Sequence, residues 1–111
     1  MNPMPIAAVR SLEALQDVLA VEESFGFRTV ALWASSRADT PNFAAFRLAE
    51  AEERRPTRDT LVLERVADPR QLGGLVEARA ASGWVLSLYA MVSIAGSPVG
   101  VALFHRRPKA T

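Results

Sequence analysis

The sequence of 111 residues predicts a single α+β domain spanning 1–111. Within it a strand-helix-strand-strand unit occurs in tandem, with two helices packed on one face of a mostly antiparallel sheet. Three observations predict this class. Apolar residues recur at helical spacing in two segments, and alternate or run unbroken in the segments around them. Good helix-start residues and glycines punctuate the boundaries. Sliding the chain against itself by 57 residues brings two halves into register.

In that register Val9 meets Val66, Leu15 meets Leu72, Gly26 meets Gly83, Ser36 meets Ser93 and Pro41 meets Pro98. Ile6 pairs in kind with Leu63, Phe27 with Trp84 and Phe46 with Leu103. The copies cover residues 4–50 and 61–107, joined by a charged linker at 51–60.

The elements follow in order. Met4 to Val9 reads as a strand. Ser11 caps a helix with Leu12, Leu15, Val18 and Leu19 on one stripe, and Glu13 suits its first turn. Gly26 stands where a left-handed residue ends the helix. Phe27 to Ser35 is a strand, Asp39-Thr40-Pro41 a turn, and Phe43 to Leu48 a returning strand. Here propensity conflicts with the repeat: NFAAFRLAEAEERR from Asn42 to Arg55 is rich in helix formers. The repeat predicts strand for its first half, and Pro56 ends any helical turn in the second. Leu61 to Val66 is the next strand. Asp68, Pro69 and Gln71 form a capping box before Leu72, Leu75, Val76 and Ala80. Gly73 and Gly74 weaken that helix or let it press closely on a sheet. Gly83 ends it, Trp84 to Ile94 is a long apolar strand, Gly96-Ser97-Pro98 turns, and Val99 to Arg106 returns.

Composition narrows the classes. Half the residues are hydrophobic and 23% are charged, so the chain is globular rather than disordered. The net charge of +1 is weak for a dedicated nucleic-acid binder. The absence of cysteine excludes disulfides, thiolate metal sites and a thiol nucleophile. With no apolar leader and no run approaching the roughly 20 residues of a spanning helix, the expectation is a cytoplasmic protein.

Strand alternation assigns Trp84, Leu86, Leu88, Ala90 and Val92 to the helix-packed core, with Val101, Leu103, Phe27, Ala31 and Trp33. The opposite face holds Val85, Ser87, Tyr89, Met91, Ala102 and Phe104, with Arg28, Val30, Leu32 and Arg47 from the first copy. That face is too apolar to lie bare in water. The sheet curls on itself, a second copy covers it, or a small amphipathic ligand lies on it with Arg28, Arg47 or Glu64 as polar contacts. The candidate ligand or interface residues are Leu32, Arg47, Tyr89, Met91 and Phe104.

The stretch Asp68 to Pro108 resembles the small bacterial domain of unknown function 4177. The residues that carry the resemblance are Ala80-Ala81-Ser82-Gly83-Trp84, the strand Val85 to Val92, and the closing Phe104-His105-Arg106-Arg107-Pro108. The first copy departs from that pattern, with Gly26-Phe27 for Gly-Trp and Ala49-Glu50 for the basic ending. The resemblance implies a fold and no agreed activity. The duplicated unit also looks like the gyrase-inhibitor-like fold, which implies a small molecule held on the sheet face away from the helices.

No catalytic constellation, cofactor or metal set is visible. His105 is the sole histidine, and Ser35, Ser36 and Ser93 have no base partner in sequence. The functional expectation is a non-enzymatic binding or interaction module, self-associating as a homodimer or holding an amphipathic ligand. The alternative is weak nucleic-acid binding through Arg54, Arg55, Arg58, Arg106, Arg107 and Lys109. An enzyme using Glu64 or His105 ranks last.

Overall fold

The computed structural model describes residues 3–6, 9–35, 41–49 and 60–106. Its elements are β1 (Pro3–Pro5), α1 (Leu12–Ser24), β2 (Phe27–Ala34), β3 (Asn42–Leu48), β4 (Thr60–Val66), α2 (Leu72–Ala80), β5 (Trp84–Ile94) and β6 (Ser97–Arg106), with a 3-10 turn at Pro69–Gln71 before α2. The class is α+β, and strand-helix-strand-strand occurs twice. There are two three-stranded antiparallel sheets, ordered β1-β3-β2 and β4-β6-β5, where the sequence suggests one. The contested segment from Asn42 to Leu48 is a strand. Residues 51–59 of the proposed linker and the Asp39-Thr40 turn lie outside the described residues, and Thr60 opens β4.

Local chemistry accounts for most boundaries. Ser11 is extended, and its hydroxyl accepts from the Ala14 N–H at 3.1 Å, leaving α1 capped. Gly26 (φ 97°) and Gly83 (φ 84°) end the two helices in the left-handed region. Asp68 accepts from the Arg70 N–H at 3.0 Å, so the expected capping box opens as a 3-10 turn instead, and Gln71 makes no side-chain cap. A side-chain carbon added at Gly73 or Gly74 would meet nothing within 4 Å, so these glycines loosen α2 rather than admit a close neighbour. The last hairpin turns on Ala95 (φ 52°) and Gly96 (φ 84°), one residue earlier than the sequence suggests. Pro98 therefore lies within β6. It sits past the end of β4, which stops at Val66 opposite Gly100, so no ladder is missed on that side.

Two β-bulges correct the assignment of faces. Pairing of β2 with β3 shifts between Thr29 and Ala31, and pairing of β5 with β6 shifts between Leu86 and Leu88. Each inserts one unpaired residue, Val30 or Ser87, and moves every later side chain to the other face. Hence Trp84, Leu86 and Tyr89 lie with Leu72, Leu75 and Val76 of α2, around Val66, Ala102 and Phe104. Leu88, Ala90 and Val92 lie on the opposite side, in the main core with Leu15 and Leu19 of α1, Leu63, Val101 and Leu103. The same flip buries Leu32 and leaves Trp33 partly exposed, stacked on Phe43 at 5.6 Å. The helices thus lie against opposite faces of the second sheet. The bulges are 57 residues apart, but Thr29 pairs with Phe46 and Leu86 with Phe104, so the closing strands correspond at 58.

The two sheets meet along their edge strands β2 and β5, which approach each other without forming a ladder. Asn42, opposite Ala34 at the end of β2, is buried. Its carboxamide donates to the Ser93 carbonyl and accepts from the Ser93 N–H, both at 2.8 Å. Gln16 of α1 accepts from the Leu63 N–H at 2.9 Å on the outer edge of β4. Side chains here satisfy strand groups that a ladder would otherwise pair.

Candidate functional site

The other end of the β2–β5 seam holds a polar chain. Leu12, Leu15, Leu19 and Glu23 follow the i, i+3, i+4 spacing that gives α1 its inward stripe, so the stripe delivers a carboxylate to the interior. A negative charge at a helix C-terminus is unfavourable by itself. Four donors offset it. Glu23 accepts from the Thr29 hydroxyl at 2.9 Å, the Thr29 N–H at 3.3 Å, Arg28 Nη1 at 3.3 Å and His105 Nε2 at 2.8 Å. Burial pushes the Glu23 carboxyl up. The hydrogen bond and charge of His105, with the two Thr29 bonds, outweigh that and hold it below its ordinary 4.5.

His105 lies near the end of β6, opposite Val85 of β5. Its Nδ1 is 2.5 Å from the Ser87 hydroxyl. Because an ionised carboxylate only accepts, Nε2 carries the hydrogen; in the neutral ring Nδ1 then accepts from Ser87. Ser87 is the bulged residue, two positions after Val85, the cross-strand partner of His105. The chain runs from a buried carboxylate (6% side-chain exposure) through His105 (13%) to an exposed hydroxyl. Among nearby residues in the pairing, Val85 is 67% exposed opposite His105, and Leu48 is 61% exposed opposite Phe27.

The residues singled out in the sequence do not form one open face. Leu32 is buried in the main core and Phe104 is fully buried beneath α2. Tyr89 is half-buried on the α2 side, and Met91 is exposed opposite Gly100. Arg47 is exposed, and its guanidinium donates to the Leu48 carbonyl at 3.2 Å. Arg28, a candidate ligand contact, is instead buried against Glu23. Glu64 pairs with Arg79 of α2. Arg106 sits over the Trp84 ring at 4.9 Å, with Arg79 at 5.9 Å. Arg54, Arg55, Arg58, Arg107 and Lys109 lie outside the described residues. No group of metal-ligating side chains occurs among the described residues, and no described helix is long and apolar enough to cross a membrane.

Sequence patterning gives Glu23 and Ser87 no functional role. The one sequence signal for Glu23 is a charge on the inward stripe of a helix. Comparison of the chain with protein families, curated proteins and solved structures finds no match.

Proposed function

We propose that the chain is a small binding module whose ligand is an amphipathic molecule ending in a hydrogen-bond donor, such as a hydroxyl. The observation that carries this reading is the Glu23–His105–Ser87 chain, which surfaces beside exposed apolar side chains. With Ser87 donating to His105, its lone pairs face outward and accept from the ligand. Val85 and Phe27 offer apolar surface at the same end of β5 and β2. The face that strand alternation offers to a ligand or a second copy is covered by α2 at Phe104 and Tyr89, so the site moves to this end of the seam.

The test is a titration of the whole chain with 1-octanol and with octanoate, followed by the NMR signals of the His105 ring and the Ser87 amide. Octanol should move both, octanoate should move them less, and Ser87→Ala should weaken the response. Signals that stay fixed with either probe, or shifts confined to Met91 and Tyr89, would overturn the proposal. Native mass spectrometry separates it from a homodimer that closes over the same end.

A further inference from the structure

We propose that Ser87 is a reactive hydroxyl that accepts an acyl group from carboxylic esters, with His105 as the base and Glu23 as the positioning residue. Nucleophilic catalysis by serine requires three things: a hydroxyl reachable by substrate, an imidazole nitrogen within hydrogen-bond reach of it, and a group that orients the ring and stabilises it once protonated. All three are present. The Ser87 hydroxyl is exposed and 2.5 Å from His105 Nδ1. The far ring nitrogen is 2.8 Å from Glu23. Glu23 is itself fixed by Thr29 and Arg28, so the carboxylate cannot swing away without breaking three further contacts. The ring nitrogens are used in the opposite sense to the familiar serine-hydrolase arrangement. The chemistry is equivalent, because either nitrogen of a neutral imidazole can accept while the other donates.

The step balances as follows. Ser87 Oγ bonds to the ester carbonyl carbon while its proton passes to His105 Nδ1, giving a tetrahedral oxyanion and an imidazolium paired with Glu23. The oxyanion collapses, the carbon–oxygen bond to the leaving group breaks, and the imidazolium proton goes to the departing oxygen. The products are an acyl-Ser87 ester and an alcohol or phenol. Water then adds to the acyl carbon by the same route, releasing the carboxylic acid and restoring Ser87. The inference shares the site of the proposed ligand but does not depend on it, since acylation needs only the ester and the three residues.

The experiment uses the full chain and 4-nitrophenyl acetate, with intact mass, fragment mapping and release of 4-nitrophenolate as readouts. The expected result is one acetyl group per chain, located on Ser87. Ser87→Ala should lose it while keeping its melting temperature, and Ser87→Cys should retain labelling at the same position. His105→Gln should slow acylation by about 100-fold or more. For Glu23, the imidazole nitrogen shifts of His105 should report a hydrogen on Nε2 in the natural chain. That signature should be lost in Glu23→Gln and restored, with the rate, in Glu23→Asp. Acetyl found only at lysine, at the N-terminus or on His105, or an unchanged rate in Ser87→Ala, would overturn the proposal.

Discussion

Replacing Glu23 by glutamine tests the polar chain most directly, because shape is kept and charge is lost. The carboxylate is 6% exposed and accepts from Thr29 twice, from Arg28 and from His105. Glutamine retains one acceptor oxygen, which suffices for Thr29, and turns an amide NH2 toward Arg28 and His105, which are both donors. Two charge-assisted contacts are lost, each of about 1.5–3 kcal/mol, offset in part because a neutral amide is cheaper to bury. The expected cost at neutral pH is therefore about 2–4 kcal/mol, or a fall of roughly 1–2 M in the urea midpoint. The pH dependence has a definite sign. A carboxyl held below its ordinary 4.5 in the folded state contributes stability that is fully present above that value. That stability fades as pH falls through the lower folded value. Urea unfolding of both proteins between neutral pH and pH about 3 should show a gap that narrows only toward the acid end. A gap constant across that range, or no gap at neutral pH, would refute the role given to Glu23.

Phe104→Ala should cost about 3–5 kcal/mol in urea unfolding, because Phe104 is fully buried, whereas Met91→Ala should change little. Equal effects would refute the placement of Phe104 beneath α2 and of Met91 outside its cover. Gly74→Ala should raise stability by about 0.5–1 kcal/mol, since nothing lies within 4 Å to obstruct the added methyl in α2. Asn42→Ala removes both bonds to the Ser93 backbone and should destabilise by about 1–3 kcal/mol, with faster hydrogen exchange at the Ser93 amide.

The fold class is legible because its signals are local. Ser11, Gly26 and Gly83 mark boundaries by chemistry that acts within a few residues, and the repeat decides for strand at Asn42 to Leu48 where propensity points to helix. The faces are not legible beyond Val30 and Ser87. A bulge changes strand parity without any distinctive residue, and neither valine nor serine marks one. Simple alternation joins Phe27 to Trp33 and Trp84 to Leu88 on one face, which leaves Leu32 on a face expected to be open, whereas Phe104 is misread because α2 covers the face it shares with Tyr89. The polar chain is hidden for a different reason. Glu23 and His105 are 82 residues apart and meet only through the juxtaposition of α1 with β6. A lone histidine carries no sign of the partner that the fold brings to it.

The seam between β2 and β5 has a mechanical consequence. Two sheets that abut without a shared ladder are held there by side chains, with Asn42 on Ser93 at one end and Glu23 on His105 at the other. The two contacts act as latches at either end of the apolar core that both sheets share. Acid releases the carboxylate latch and leaves the amide latch shut, because only the former titrates. The loss of the carboxylate contact in acid falls on the Ser87 end of the seam, while Asn42 still fastens the other end.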